Sequence, residues 1–334
     1  MNKALVIGGN IGYSDYPLRG ISGFDLWGNS YLANGFSEVK YIDFDTLIEK
    51  KDEIINFSPD LIHLQIADDK PYLKLYELFP DAKFCVELEG NDSQLYKLFF
   101  IGYSDYWEII RKSDLVMTPS KTLCDKLSIF DFVGTVIPAP YPMNIDTFNK
   151  YYDPSLKEEL VFHGVIMGGA STRETFFSIR LAQKSNYNSI VAAGISPDSK
   201  IASMDDLNNK FELYFNQDCD SKVELVSVED HAMFVKNILS RCSITAFVNI
   251  SQTSGRIAFE SAAAGIAHIG TPNSYTGIFY PNTMIERICN VNDYLDIYKK
   301  LKDRHFYKYV TEYAKSKIDI LSFYNTGKTI LEYF

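Results

Sequence analysis

Short apolar runs alternate with helix-length amphipathic segments from one end of the chain to the other. That rhythm predicts repeated strand–helix units and parallel sheets. In the first half the expected strands are Lys3–Gly8, Val39–Phe44, Leu61–Leu64, Phe84–Glu87, Asp114–Thr118 and Thr135–Ile137. Each stops at a turn former or polar cluster, such as Gly8-Gly9-Asn10, Gly90-Asn91-Asp92 or Pro119-Ser120. Open parallel sheets bind ligands beyond the carboxyl ends of their strands, so these loops are where function is to be sought. Around residues 138–160 the pattern breaks. Pro138, Pro140, Pro142 and Pro154 fall among polar residues and aromatics with no helical or strand period, which predicts a linker. A second alternating set follows: Leu160–Ile166, Ser189–Ala193, Val223–Val226, Ile244–Val248 and Ala267–Gly270, with helices expected at Arg173–Ser185 and Glu229–Ser240. The run Phe306–Phe334 reads as one or two helices broken at Asn325-Thr326-Gly327. The expected fold class is α/β, with two doubly wound Rossmann-like domains facing across a cleft.

A length of 334 residues suits two domains of ordinary size, and 46% hydrophobic with 23% charged residues is a globular composition. The chain carries 33 basic and 43 acidic residues, a net charge of −10. Polyanions gain affinity by exchanging counterions for Lys and Arg, so this balance disfavours a large nucleic-acid footprint while leaving room for a local basic pocket. Cys85, Cys124, Cys219, Cys242 and Cys289 are scattered, odd in number and lack C-x-x-C spacing. They read as reduced thiols of a cytoplasmic protein. The start, MNKALVIGG, has too short an apolar core for a signal peptide, and no stretch approaches a spanning helix. Peripheral contact with the inner face of a membrane is compatible with both facts.

One stretch stands out: Gln252-Thr-Ser254-Gly255-Arg256-Ile-Ala-Phe-Glu260-Ser-Ala262-Ala263-Ala264-Gly265-Ile-Ala-His268-Ile-Gly270-Thr271. Gly255 lets backbone approach a ligand closely, and the free N–H groups of the following helix favour a diphosphate. Glu260, about a turn into that helix, can accept hydrogen bonds from two ribose hydroxyls, each worth about 1.5–3 kcal/mol for a charged acceptor. The alanines let the helix pack close to a sheet. The bland alternative is a surface helix with an early glutamate. This stretch resembles the nucleotide-sugar signature of glycosyltransferase family 4. Other segments match that family in order: Ser58-Pro-Asp60-Leu-Ile-His63, Ser113-Asp114-Leu-Val-Met-Thr118-Pro-Ser120, Val136-Ile-Pro138 with Ile145-Asp146-Thr-Phe148, and Leu160–Gly164. The resemblance spans about residues 58 to 275.

It implies the GT-B fold. Residues 1–150 would form an acceptor-side domain and 151–310 a nucleotide-sugar-binding domain, with 311–334 a C-terminal helix returning toward the first. It implies transfer of a sugar from a nucleoside diphosphate sugar, a UDP-sugar foremost, to an acceptor hydroxyl, with retention of configuration and no metal or other cofactor. The acceptor would be a carbohydrate, a lipid-linked sugar or a protein. Gly9, Gly164, Gln252, Ser254, Gly255 and Glu260 would bind the donor. Arg173 and Arg256 would stabilise the leaving group, and Glu89 would serve the acceptor side. Departures are visible. The family carries two glutamates separated by seven residues, and the first is Gln252 here; the family Arg after the Gly164 equivalent is Val165, leaving Arg173 as the nearby cation.

Further features are weaker. Gly8-Gly9-Asn10-Ile-Gly12 is a Gly-rich turn without G-x-G-x-x-G spacing. Glu87, Glu89, Asn91 and Asp92 either position an acceptor hydroxyl or divide between sheet and helix cap. His63 and His268 read as core histidines, and His163, beside Gly164, is expected near the cleft. Asp43-Phe-Asp45 and Asp218-Cys-Asp220 resemble the D-x-D metal clamp of another glycosyltransferase fold, against which the alternating pattern argues. Aromatics of Leu95–Lys112 suit either core or sugar stacking. The rival functions are a phage-type DNA-base glycosyltransferase, which needs a basic groove, a sugar-nucleotide-binding protein without turnover, and an epimerase or phosphorylase on the same fold.

Overall fold

The computed structural model describes residues 1–8, 26–43, 46–66, 73–88, 104–130, 134–167, 175–194, 204–217, 219–228, 231–247, 256–271, 276–285 and 290–334. Within them, β1 (Lys3–Gly8), β2 (Glu38–Asp43), β3 (Leu61–Ile66), β4 (Lys83–Leu88), β5 (Leu115–Thr118) and β6 (Thr135–Pro138) form a six-stranded sheet in the order β2-β1-β3-β4-β5-β6. A five-stranded sheet follows from β7 (Leu160–Met167), β8 (Asn188–Gly194), β9 (Val223–Ser227), β10 (Cys242–Phe247) and β11 (Ala267–Gly270), ordered β11-β10-β7-β8-β9. Every pairing is parallel. All the expected strands are present, with bounds shifted by at most two residues. Strand order reverses direction between β1 and β3 in the first sheet and between β7 and β10 in the second, the positions where such sheets bind ligands.

The apolar runs are continuous because both faces of each sheet are covered. In the first sheet Leu5, Ile7, Ile62, Leu64, Val86 and Val116 enter one core cluster. Their strand neighbours Ala4, Val6, Leu61, Cys85, Leu115 and Met117 enter another on the opposite face. This is the period-2 alternation of a strand, and each fully buried Leu or Ile contributes about 1.5–3 kcal/mol. The second face is closed by Trp27 and Tyr31 of the Leu26–Ala33 helix and by Ile330 of the Phe323–Leu331 helix. The latter carries the chain end back to the first sheet: Ser30 Oγ lies 3.0 Å from Thr326 Oγ1, and Asn34 Nδ2 donates to Tyr324 O at 2.9 Å.

Two motif aspartates have structural work. Asp60 Oδ2 accepts from the backbone N–H groups of Asn2 and Lys3, so it ties the start of β3 to β1, and these two bonds lower its pKa from the ordinary aspartate value. Asp114 Oδ2 accepts from Phe84 N at 2.9 Å while Oδ1 takes Lys83 Nζ at 2.7 Å, clamping β4 at the start of β5. Asp114→Ala is expected to cost about 1–2 kcal/mol, the range for hydrogen bonds to a charged group in a partly solvated place, read from the urea midpoint.

Two expectations are corrected. The 138–160 segment, expected to lack a helix, holds the Ile145–Tyr151 helix. Asn144 caps it, its Oδ1 accepting from Thr147 N, and Phe148 anchors it in the core of the second sheet. The prolines merely flank it, and tertiary burial of one aromatic outweighs the weak local pattern. The C-terminal break lies at Lys317–Ser322, around a short 3-10 turn, while Asn325-Thr326-Gly327 is inside the last helix. Gly327 is a contact residue there: a Cβ on it would stand 2.5 Å from Ser30 O.

Candidate functional site

The second sheet turns at β7/β10, and a local irregularity marks that place. The β7–β8 register shifts between Phe162 and Val165, and Gly164 in the bulge has φ +115°, a left-handed backbone that side chains rarely adopt. Thr245 pairs with Phe162, which sets Phe247, at the end of β10, beside Gly164; a Cβ on Gly164 would meet its ring at 3.6 Å. The Arg256–Ala264 helix packs on the same core through Ala258, Phe259, Ala262, Ala263 and Ala264. Small side chains let this helix lie close to the sheet, as the sequence suggested. Glu260, one turn in, is only 2% exposed. It is therefore a buried carboxylate near a helix start, and the surface-helix reading is excluded. A carboxylate so buried is tolerated only where donors meet it.

The histidines near this place are structural. His163 was expected near the cleft, but its ring is buried, with Nδ1 2.8 Å from Ser178 Oγ and Nε2 3.0 Å from Ser189 Oγ. His268 is equally buried, its Nδ1 2.8 Å from Thr245 Oγ1, which in turn reaches Ser261 Oγ at 2.7 Å. Burial pulls both rings down to about 3, so they stay neutral in the folded chain.

The first sheet holds a different constellation. Trp27 and Tyr31, four apart on the Leu26–Ala33 helix, share the face that meets the sheet. Tyr31 Oη lies 2.6 Å from His63 Nδ1, and His63 Nε2 lies 3.3 Å from Glu87 Oε2. Gln65 Nε2 donates to the same Glu87 oxygen at 3.1 Å. Gln65 and Glu87 are cross-strand partners one residue before the ends of β3 and β4, and both are buried. Burial, with Cys85 and Glu87 nearby, drives the Tyr31 phenol far above its ordinary range, so it keeps its proton.

Of the residues singled out by sequence, Gly164, Glu260 and the backbone of Arg256 fall in this frame. The Arg256 side chain and residues Gly9, Glu89, Arg173, Gln252, Ser254 and Gly255 lie outside the described residues, as do Asp45 and Asp218 of the D-x-D matches. Among the described residues no group of three or more His, Cys, Asp or Glu side chains converges as a metal site would, and no helix is long and apolar enough to cross a membrane. Cys85, Cys124, Cys219 and Cys242 are unpaired. Gln65 and Tyr31 were not singled out, though a signal existed. In Leu61–Ile66 the polar residues His63 and Gln65 recur with period 2 on one face, in register with Glu87.

No family model matches the chain, and no curated protein does. Solved structures match over nearly its whole length and define a class of fold: two doubly wound units of the GT-B type. Sucrose-phosphate synthase from Thermosynechococcus elongatus superposes with a TM-score of 0.65 at 12% identity, covering 99% of this chain and 98% of that one. Anabaena Alr3699/HepE, in complex with UDP and glucose, gives 0.66 at 11% identity, covering 99% of each. AviGT4, a glycosyltransferase involved in avilamycin A biosynthesis, gives 0.63 at 11%, covering 99% and 96%. The chain has the GT-B fold.

Proposed function

We propose that this protein is a glycosyltransferase that moves a sugar from a nucleoside diphosphate sugar, a UDP-sugar foremost, to an acceptor hydroxyl. The observation that carries this reading is Glu260, a carboxylate held almost wholly out of water one turn into the helix that starts beside the β7/β10 switch point. A buried anion there suits two ribose hydroxyls, while the helix N-terminus suits the diphosphate. The left-handed Gly164 in the adjoining strand leaves backbone open to close approach. The structural relative HepE bears UDP-glucose in one of its solved complexes, which supports the choice of donor.

In this reading residues 151–310 bind the donor, residues 1–150 hold the acceptor, and residues 311–334 tie the end of the chain to the first domain. Gln252, Ser254, Gly255 and Gly9 complete the donor site. Arg173, Arg256 and backbone N–H groups stabilise charge on the departing diphosphate without a metal, and Glu89 serves the acceptor. Closure of the two domains excludes water, and the sugar is transferred with retention.

The test is a thermal-shift panel of UDP, GDP, ADP, CDP and dTDP, with and without chelator, on the wild type and Glu260→Gln. A ligand specific to the folded state stabilises by about 2.7 kcal/mol at a hundredfold excess over its dissociation constant. A selective, chelator-insensitive shift that Glu260→Gln loses is expected. No shift with any of the five, in a sample with a cooperative melt, would overturn the reading.

A further inference from the structure

Charge is not spread evenly over this protein. Between Lys299 and Lys317 the chain carries six lysines and one arginine against two acidic residues, while the whole chain has a net charge of −10. This stretch forms most of a hairpin of two helices, Val291–Leu301 and Arg304–Ser316, joined at Lys302-Asp303. Tyr294, Ile297, Tyr298 and Leu301 of the first helix, with Val310 and Ala314 of the second, are sunk in the core of the second sheet. Their burial turns the bases outward: all are exposed except Lys317, which is half-buried. The two acids do little to neutralise them. Asp303 is occupied in capping, its Oδ1 accepting from His305 N and Phe306 N at 2.7 and 3.0 Å. Glu312 meets Lys308 at 3.6 Å, but both side chains are exposed and such a pair is weak. Asp293 and Asp296 lie in the first half of the hairpin's first helix, before its basic end. Lys302 and Lys317 rest over the Tyr187 and Tyr313 rings, contacts that hold the ammonium groups without neutralising them.

We propose that the outer face of this hairpin docks the protein on an anionic lipid surface, the lysines and Arg304 meeting phosphates while Tyr309 and Tyr313 sit between headgroups. Charges more than about 10 Å apart are largely screened at about 0.1 M salt. A surface that approaches the hairpin therefore senses its bases and not the acidic remainder of the chain. Two features favour a membrane over a nucleic acid. Six of the seven bases are lysines, point charges suited to a diffuse negative surface, whereas bidentate reading of single phosphates or base edges calls on arginine. The second feature is aromatic. On the Arg304–Ser316 helix Arg304, Lys308 and Lys315 recur at intervals of four and seven and form one stripe. Tyr309, 53% exposed, and Tyr313 stand one turn apart on the outer face, their ring centroids separated by 6.3 Å. A ring with an apolar body and a hydroxyl tip suits the headgroup layer of a bilayer. The contact is peripheral, because the apolar side of the hairpin faces the protein core. It needs no sugar donor, so it stands apart from the transfer activity proposed above.

The test is co-sedimentation of the full chain with vesicles of phosphatidylcholine alone and of phosphatidylcholine with about two-fifths phosphatidylglycerol. Binding is expected to the anionic vesicles only, and to fall steeply between about 0.1 M and about 0.5 M salt. The triple variant Lys299→Gln, Lys300→Gln, Lys302→Gln should weaken it by about fivefold for each charge removed, about a hundredfold in all. Lys50→Gln, Lys51→Gln, Lys121→Gln removes the same charge from exposed positions in the first half of the chain and should change binding by no more than about twofold. Lys299→Arg, Lys300→Arg, Lys302→Arg keeps the charge and should bind as the wild type does, which separates loss of charge from damage to the hairpin. Tyr309→Ala with Tyr313→Ala should weaken binding at both salt concentrations. Absence of binding to the anionic vesicles would overturn the proposal, as would equal loss in the two glutamine variants or loss in the arginine variant. Tighter binding to a mixed-sequence DNA duplex than to the vesicles at the same salt would overturn it too, and would make the face a nucleic-acid contact instead.

Discussion

Lowering the pH from 7 to 5 is expected to remove about 4 kcal/mol from the stability of the second domain, about 2 kcal/mol from each of two histidines. His163 and His268 are buried against hydroxyl groups, and burial pulls both from 6.5 to about 3. In the folded chain neither ring takes a proton until the pH nears 3. In the unfolded chain both take one as the pH falls through 6.5. The unfolded state therefore binds more protons throughout that window, so stability is fully present above 6.5 and drains as the pH falls. The other resolved shifts with the same sign belong to carboxylates, Asp60, Asp153 and Asp303 among them, which act in and below the ordinary carboxylate range, and to Lys157, lowered by burial, which acts far above neutrality. The interval from 6.5 to 5 isolates the rings. Urea midpoints at pH 7, 6 and 5 measure the loss, and His268→Gln should halve the slope. A flat profile would mean that the rings are solvated and that the β7 and β11 faces pack differently.

Gly327→Val is expected to cost about 3 kcal/mol, the upper range for overpacking, and to free the last helix from the first sheet. A Cβ at this position meets the Ser30 carbonyl oxygen at 2.5 Å and its carbon at 3.0 Å, with the Asn34 amide closer still. The amide can swing away, but the backbone of the Leu26–Ala33 helix cannot, because Trp27 and Tyr31 fix its other face to the sheet. Separation of the two helices would expose Ile330 and break the Ser30–Thr326 and Asn34–Tyr324 bonds. The checks are the thermal midpoint and limited proteolysis, which should release the residues after about Ser322. Gly327→Ala should show the same effect in smaller measure. Wild-type stability in the valine variant would show that the helices do not cross at this point. The consequence reaches the buried His63, since Tyr31 meets it from the same helix.

The aromatic helix between β4 and β5 illustrates how an open reading of sequence is resolved. Trp107 and Ile109 of Ser104–Lys112 pack on the first sheet's core, so this part of the segment is a lid of the core. Residues 89–103, with Tyr96, Phe99, Phe100 and Tyr103, lie outside the described residues, as does the side chain of Tyr106.

Local chemistry made much of the molecule legible without coordinates. Strands such as Lys3–Gly8 and Ala267–Gly270 declare themselves through runs of apolar residues cut by turn formers, because backbone periodicity is a property of neighbours. Glu260 and the alanines after it were legible for the same reason: a helix start, an acidic residue one turn in and three small residues are a local pattern. The tertiary structure decided what depends on strand order. Glu87 needs its partner in register on β3, 22 residues away, and Gln183 meets the carbonyls of Phe215 and Ser221 more than 30 residues on. Gly327 reads as a helix breaker until Ser30, 296 residues before its neighbour Thr326, is laid against it. Whether His163 faced a cleft or a core turned on two serines that only the β7–β8 pairing and the following helix bring to it. Periodicity is set by covalent neighbours, whereas the company a side chain keeps is set by which segments the crossovers place side by side.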